Sequence, residues 1–364
     1  MKEILVVCES YPSVEHPASL RYIHSRNMIY NQHGIKPVVL NFCANSSYSF
    51  EGIEVVTEKD LARERIDSFP VVIFHSPNVR NHLRFWKMNN QVIHRAIIFA
   101  HGHEFLKTVQ YYPRVFECEK KSPIILAARN GYDIVKLKVW KSWLIAKSDS
   151  VVFVSVSNWM RDEAFKCLGF SGTDIPFENT VIPNCIGEGF ERCQYDWVSD
   201  KQYDCLTIRP SLDNSKYCID IVYNLACSNP SLSFLVVGKG TYFHNRVIPP
   251  NISWWNRTLT HAEVISVANS SRCALMPTRL DAQGVMACEL ASFGMPLITS
   301  DIGICRDVFS SFDNVKFIDN NYPCSNLDKM IDVLYSSLPY ENNDTYYACN
   351  TIEKELHLIN RFMD

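Results

Sequence analysis

The chain has 364 residues, of which 47% are hydrophobic and 21% charged, with 36 Lys plus Arg against 39 Asp plus Glu. This length is long for one core and comfortable for two domains, and the composition is that of a soluble globular protein. No run approaches about 20 consecutive apolar residues, which excludes a transmembrane helix, and the 14 cysteines are scattered without a C-x-x-C pair, which argues against a disulfide or metal framework.

The start MKEILVVCES is a charged lead into a buried strand rather than a signal peptide, so a cytoplasmic location is expected. Ile4 to Val7 reads as a strand, Ala18 to Asn31 as a helix and Pro37 to Asn41 as a second strand, a βαβ opening of the Rossmann type. Further strands are expected at Val71 to Phe74 and Ile97 to Ala100. The second runs into FAHGHEF, so His101 and His103 stand at the carboxyl end of a strand, where open α/β sheets bind ligands. A loop histidine satisfied by its neighbours would look the same. Val151 to Ser155 is another strand, with a helix from Trp159, and the polar, aromatic-studded stretch 191–203 reads as a linker.

A second set of elements begins at Asp204 to Ile208. Arg209 and Lys216 follow this strand and precede a helix, a placement that suits a diphosphate better than two solvated loop charges. Phe234 to Val237 leads into Gly238-Lys239-Gly240, a glycine turn through which backbone can approach a ligand; it lacks the K-[ST] of a P-loop. Cys273 to Met276 is a short strand ended by Pro277. A helix follows from Gly284 and Val285 until Gly294 and Pro296 stop it, and Leu297 to Thr299 is the next strand. Two acids bracket this turn, Asp281 before the helix and Glu289 within it. The unpaired N–H groups of the helix start suit a phosphate, and the acids can accept hydrogen bonds from sugar hydroxyls. Helical patterns at Leu327 to Leu338 and Tyr346 to Met363 close the chain.

The stretch DAQGVMACELASFGMP, from Asp281 to Pro296, resembles the E-x7-E signature of the retaining glycosyltransferases of family 4. It keeps Gly284, Glu289, Gly294 and Pro296, with Asp281 in place of the first Glu and Gln283 in place of Phe. VIPNCIGEGF, from Val181 to Phe190, is similar to the family's v-I-P-N-G-I-D-x-x-x-F, with Cys185 and Gly187 replacing Gly and Asp. Arg209 and Lys216 resemble the g-R-l…K-G pair, with Ile208 and Tyr217 in place of its glycines. Gly238 falls in the l-v-G-x-G segment, and the H-G at His101 resembles the family's N-domain histidine. The Gly-Gly pair common in the first loop is absent, and Pro17, Ala18 and Ser19 occupy that turn.

The resemblance implies an α/β protein of GT-B architecture, with two Rossmann-like domains facing across a cleft. The domains are set at 1–190 and 204–345, joined by the linker 191–203, with helix 346–364 packing back toward the first. It also implies transfer of a sugar from a nucleoside diphosphate sugar to an acceptor hydroxyl, retaining, with no cofactor and no metal. His101 and Asp281 would contact the donor sugar and Glu289 the ribose. Arg209, Lys216, Gly238, Gly284 and Val285 would surround the diphosphate. The expected partners are the nucleotide sugar and a glycan acceptor, with no nucleic acid. A sugar-nucleotide 2-epimerase of the same fold and a degenerate binding protein stay open as alternatives. Donor hydrolysis without acceptor separates an enzyme from a binder.

Residues 1–170 carry 22 basic against 16 acidic residues, and His75 to Ser150 alone 13 against 5. In KLKVWKSWLIAK, Lys136, Trp140 and Trp143 recur near helical spacing with Lys138, Lys141 and Lys147 around them, a pattern suited to an anionic membrane surface. A lipid-linked acceptor in O-antigen or capsule assembly, met on the inner face of the plasma membrane, is the matching expectation.

Overall fold

The computed structural model describes residues 2–16, 20–171, 175–244, 246–321 and 326–363. By contact the chain forms two units, one of Met1–Thr108, Arg129–Asn184 and Thr351–Asp364, the other of Val109–Ala128 and Cys185–Asn350. The sequence set its boundary at 190, whereas the contacts change hands after Asn184 and give Val109–Ala128 to the second unit.

The first unit holds β1 (Lys2–Cys8), β2 (Ile35–Asn41), β3 (Tyr48–Phe50), β4 (Ile53–Val56), β5 (Val72–His75), β6 (Ala96–Ala100), β7 (Val151–Ser155) and β8 (Glu178–Val181). Their order is β3-β4-β2-β1-β5-β6-β7-β8, parallel except for the β3–β4 pair. In register, Val6 faces Val39 and Ile73, and Phe99 faces Val154. β5, β6 and β7 are buried at every residue, as expected of parallel strands covered on both faces, which is why they read as unbroken apolar runs. The expected turn at Pro17, Ala18 and Ser19 lies outside the described residues, and the helix Arg21–Gln32 follows.

That helix buries Ile23, His24, Arg26, Asn27 and Tyr30, a stripe at helical spacing that is mostly polar. Burying such groups requires partners. Arg26 forms a buried ion pair with Glu355 of the C-terminal helix Ala348–Met363 at 2.9 Å, and Tyr30 donates to the same carboxylate at 2.5 Å. Arg26 also donates to Asn184 at 2.8 Å.

The second unit holds β9 (Tyr203–Ser211), β10 (Phe234–Lys239), β11 (Ile252–Trp255), β12 (Ser271–Leu275), β13 (Leu297–Ser300) and β14 (Val315–Ile318), all parallel, in the order β11-β10-β9-β12-β13-β14. Renumbered from its first strand this is 3-2-1-4-5-6, the Rossmann order, whose direction reverses between β9 and β12. Ligands of such sheets bind beyond the carboxyl ends of those two strands. The stretch expected as a linker belongs to this unit: Tyr195 is buried, its hydroxyl donates to the Ser271 carbonyl at 2.6 Å, and its N–H bonds to Phe293 at 2.9 Å.

Candidate functional site

At the switch point, Arg209 lies near the end of β9 and is 7% exposed. Its Nη2 donates to the Pro277 carbonyl at 2.6 Å, across the gap to the loop after β12, while its buried Nε has no hydrogen-bond partner. Among the described residues no carboxylate lies within ion-pair distance of it. Burial lowers its pKa from the usual arginine value, because little water is left to solvate the charge.

Lys216 sits in the 3-10 turn Ser215–Tyr217, and the backbone of this turn is tied on every side. The Asn214 side chain accepts from Lys216 N–H at 3.1 Å, and the Lys216 carbonyl accepts from Arg279 N–H at 2.8 Å and Thr278 Oγ1 at 3.0 Å. Ser215 donates from Oγ to Pro113 at 2.8 Å and from N–H to Glu119 at 3.1 Å, which ties in the segment Val109–Ala128. The ammonium of Lys216, by contrast, forms no ion pair or hydrogen bond among the described residues. Its Nζ and the Arg209 Cζ lie 4.6 Å and 5.3 Å from the centre of the Tyr217 ring. Sequence reasoning missed Arg279, which grips Asp220 with two bonds of 2.9 and 2.6 Å and the Ser215 carbonyl at 2.6 Å. Arg279 therefore fixes the turn and is itself neutralised.

The loop after β12 carries Asp281, half-buried, with Oδ1 accepting from Ala282 N–H at 2.9 Å. Gly284 has φ 80°, the left-handed region that glycine enters without a side-chain clash, and the helix Val285–Ser292 starts there without a side-chain cap. Glu289, expected at the ribose, is 3% exposed and accepts from Gly187 N–H at 3.1 Å; the His261 imidazole stands 3.9 Å away. Burial pushes its pKa up to about 7, and the Gly187 bond offsets part of that rise. Gly187 is close-packed: a Cβ there would lie 2.7 Å from the His261 ring and 3.2 Å from Glu289 Oε1, so the His261 ring would have to move to admit it.

Gly238 packs closely on its own chain. A Cβ on it would lie 2.4 Å from the Arg209 carbonyl oxygen and 2.8 Å from Leu212, so the close approach it permits is to the chain's own turn that leads to Lys216.

In the first unit, His101 follows β6 and is half-buried. Its Nε2 is 3.1 Å from Nδ1 of His75, at the end of β5, and its backbone N–H donates to the buried carboxylate of Glu104. Both imidazoles are held well below 6.5, by burial first and, for each, by the Arg26 charge as well. The pair is therefore neutral at pH 7, one ring donating to the other. His103 is exposed and 3.6 Å from Glu104 Oε2, outside this arrangement.

The expected membrane face of the helix Pro123–Ala146 is corrected. Trp140 is fully buried against Phe105, and Lys136 is buried, pairing with Asp133 at 2.8 Å and donating to the His103 and Leu106 carbonyls at 2.9 Å each. Trp143 is half-buried with its ring edge-on to Trp86. The large apolar residues exposed on this helix are Ile124, Ile125, Tyr132, Ile134, Val135 and Ile145, from 44% to 81% exposed. Among the described residues no helix is long and apolar enough to cross a membrane.

No protein-family model matches the chain. Glycogen synthases of two Mycobacterium tuberculosis strains are 23% identical to it over 340 residues, spanning 82% of this chain and 78% of theirs. Sucrose-phosphate synthase from Thermosynechococcus elongatus superposes with a TM-score of 0.65 at 10% identity, covering 100% of this chain and 99% of that one. The fold is GT-B. A trehalose-6-phosphate protein from E. coli bound with UDP-2-fluoro glucose has a TM-score of 0.57, also at 10% identity, with 100% and 95% covered. These likenesses span both units.

Proposed function

We propose that this chain is a glycosyltransferase that moves a sugar from a nucleoside diphosphate sugar to an acceptor hydroxyl, with retention at the anomeric carbon and without a metal ion. The observation that carries the proposal is the pair Arg209 and Lys216. They are two cations at the switch point of a Rossmann sheet, one of them buried, and among the described residues neither has a carboxylate within ion-pair distance. A buried charge without a counterion costs on the order of several kcal/mol, a cost that an anion at this place relieves. A nucleoside diphosphate matches this place in charge. It is the leaving group of sugar transfer and gains charge as the glycosidic bond breaks, so cations held in advance on a fixed backbone stabilise the transition state more than the ground state. The start of the Val285 helix adds N–H donors beside them. Glu289 in its ionised form accepts from ribose hydroxyls, and Asp281 from hydroxyls of the sugar. Retention is supported by the likeness of the Asp281-to-Glu289 stretch to E-x7-E. The glycogen synthase relatives and the UDP-2-fluoro glucose bound to the E. coli protein agree with a nucleotide-sugar donor.

The acceptor reading is a glycan on a lipid carrier, as in O-antigen or capsule assembly, at an anionic membrane surface. It is supported by the exposed apolar residues of the helix Pro123–Ala146, flanked by Lys120, Lys121 and Lys138, all exposed. Each basic residue near such a surface contributes roughly 1 kcal/mol. Cosedimentation with anionic vesicles tests it: binding that Ile124→Glu with Val135→Glu leaves intact contradicts it.

Thermal shift against a panel of UDP-, GDP- and dTDP-sugars tests the donor. Stabilisation by one base and one sugar is expected, and loss of that shift in Arg209→Met is expected with it. NMR of the product's anomeric proton then reads retention or inversion.

A further inference from the structure

We infer that Tyr217 is a positioning residue for the anion-binding pair, its ring holding the Arg209 guanidinium and the Lys216 ammonium in place without neutralising either. The inference rests on the reading of these two cations as diphosphate-binding.

The face of an aromatic ring is electron-rich and attracts cations. Arg209 Cζ and Lys216 Nζ lie 5.3 and 4.6 Å from the centre of this one ring, and among the described residues no carboxylate is bonded to either. The contrast with the neighbouring cation is direct. Arg279, in the loop facing the same turn, is clamped by Asp220 at 2.6 Å and is already neutralised. The site thus pairs the arginine that fixes the backbone with a carboxylate, and pairs the two cations left for a ligand with a ring. A carboxylate at Tyr217 would compete with a diphosphate for both charges. A ring does not, since it has no hydrogen-bond acceptor strong enough to displace and no net charge to cancel.

The backbone around Lys216 is held by Asn214, Thr278, Arg279, Pro113 and Glu119, so the remaining freedom is in the side chain. A free lysine side chain must lose much rotamer entropy on binding an anion. Contact with Tyr217 removes part of that loss beforehand, the usual gain from preorganisation. Glycine at this position, as in the pattern the stretch resembles, would leave Lys216 without any such contact.

The experiment is calorimetric titration of the full chain with inorganic pyrophosphate and with UDP, GDP and dTDP, comparing Tyr217→Phe and Tyr217→Leu with wild type. Melting temperatures confirm that each variant is folded. Phe keeps the ring and should bind within about twofold of wild type. Leu keeps bulk but no π-face, and should bind pyrophosphate about tenfold more weakly, equivalent to about 1.4 kcal/mol. Leu binding as tightly as wild type overturns the inference and leaves the diphosphate reading standing. Phe binding as weakly as Leu also overturns it, because the hydroxyl would then be the active group. A wild-type chain that binds neither pyrophosphate nor any of the nucleotides overturns the diphosphate reading, and this inference with it.

Discussion

Replacing Glu289 by Gln should make the protein more stable and less able to bind nucleotide, and the gain in stability should depend on pH in a defined way. Glu289 is 3% exposed and accepts from the Gly187 N–H at 3.1 Å, with the His261 ring 3.9 Å away. Burial raises its pKa from 4.5 to about 7. Between those values the folded chain holds a proton that the unfolded chain has released, so stability falls as pH rises through this window. The full loss, roughly 3 kcal/mol for a rise of this size, is reached above pH 7. Gln keeps the volume and the acceptor for Gly187 but does not titrate. Urea denaturation at pH 5, 6.5 and 8 should therefore show Glu289→Gln gaining under about 1 kcal/mol at pH 5 and about 3 kcal/mol at pH 8. Nucleotide affinity should fall about tenfold or more, the cost of losing charge-assisted bonds to ribose. Parallel stability profiles for the two proteins would refute the reasoning, since Glu289 would then not be the strained acid.

Lys216→Ala should lower turnover about 100-fold or more with the melting temperature unchanged; normal turnover in the folded variant removes Lys216 from the mechanism. Asp281→Glu should be tolerated or shift donor choice, whereas Asp281→Ala should weaken nucleotide-sugar binding more than free-nucleotide binding, and equal weakening of both contradicts the assigned sugar contact. Gly187→Asp would place a side chain 2.7 Å from the His261 ring and beside Glu289, so it should lose about 1–3 kcal/mol in denaturation, with His261→Ala restoring part of the loss.

Much of the second unit was legible in the sequence because its strands are short apolar runs with turn residues between them, and the order of elements then dictates the switch point where Arg209 and the Pro277 loop meet. The left-handed turn at Gly284 was legible for the same reason, since glycine is the residue such a turn requires. What holds the site together was not. Arg279 with Asp220, and Ser215 with Pro113 and Glu119, join residues about 60 to 100 positions apart, and no local period marks such pairs. The Arg26–Glu355 pair, 329 residues apart, and the His75–His101 pair are of the same kind. The helix Pro123–Ala146 failed for another reason. Lys136 and Trp140 recur at helical spacing whether they face lipid or core, and periodicity finds a face without saying which side is buried. Asp133 decides it by giving Lys136 a buried partner.

The measurement that tests the central claim most directly is release of nucleoside diphosphate from a panel of UDP-, GDP- and dTDP-sugars by the purified chain in EDTA, with a hydroxyl acceptor or with water alone, beside Arg209→Met. Release from at least one donor by the wild type, insensitive to EDTA and lost in Arg209→Met, is the predicted result. Release from none of them, or release that EDTA abolishes and Mg²⁺ or Mn²⁺ restores, would contradict the claim that Arg209, Lys216 and the helix start carry the charge of the leaving group without a metal ion.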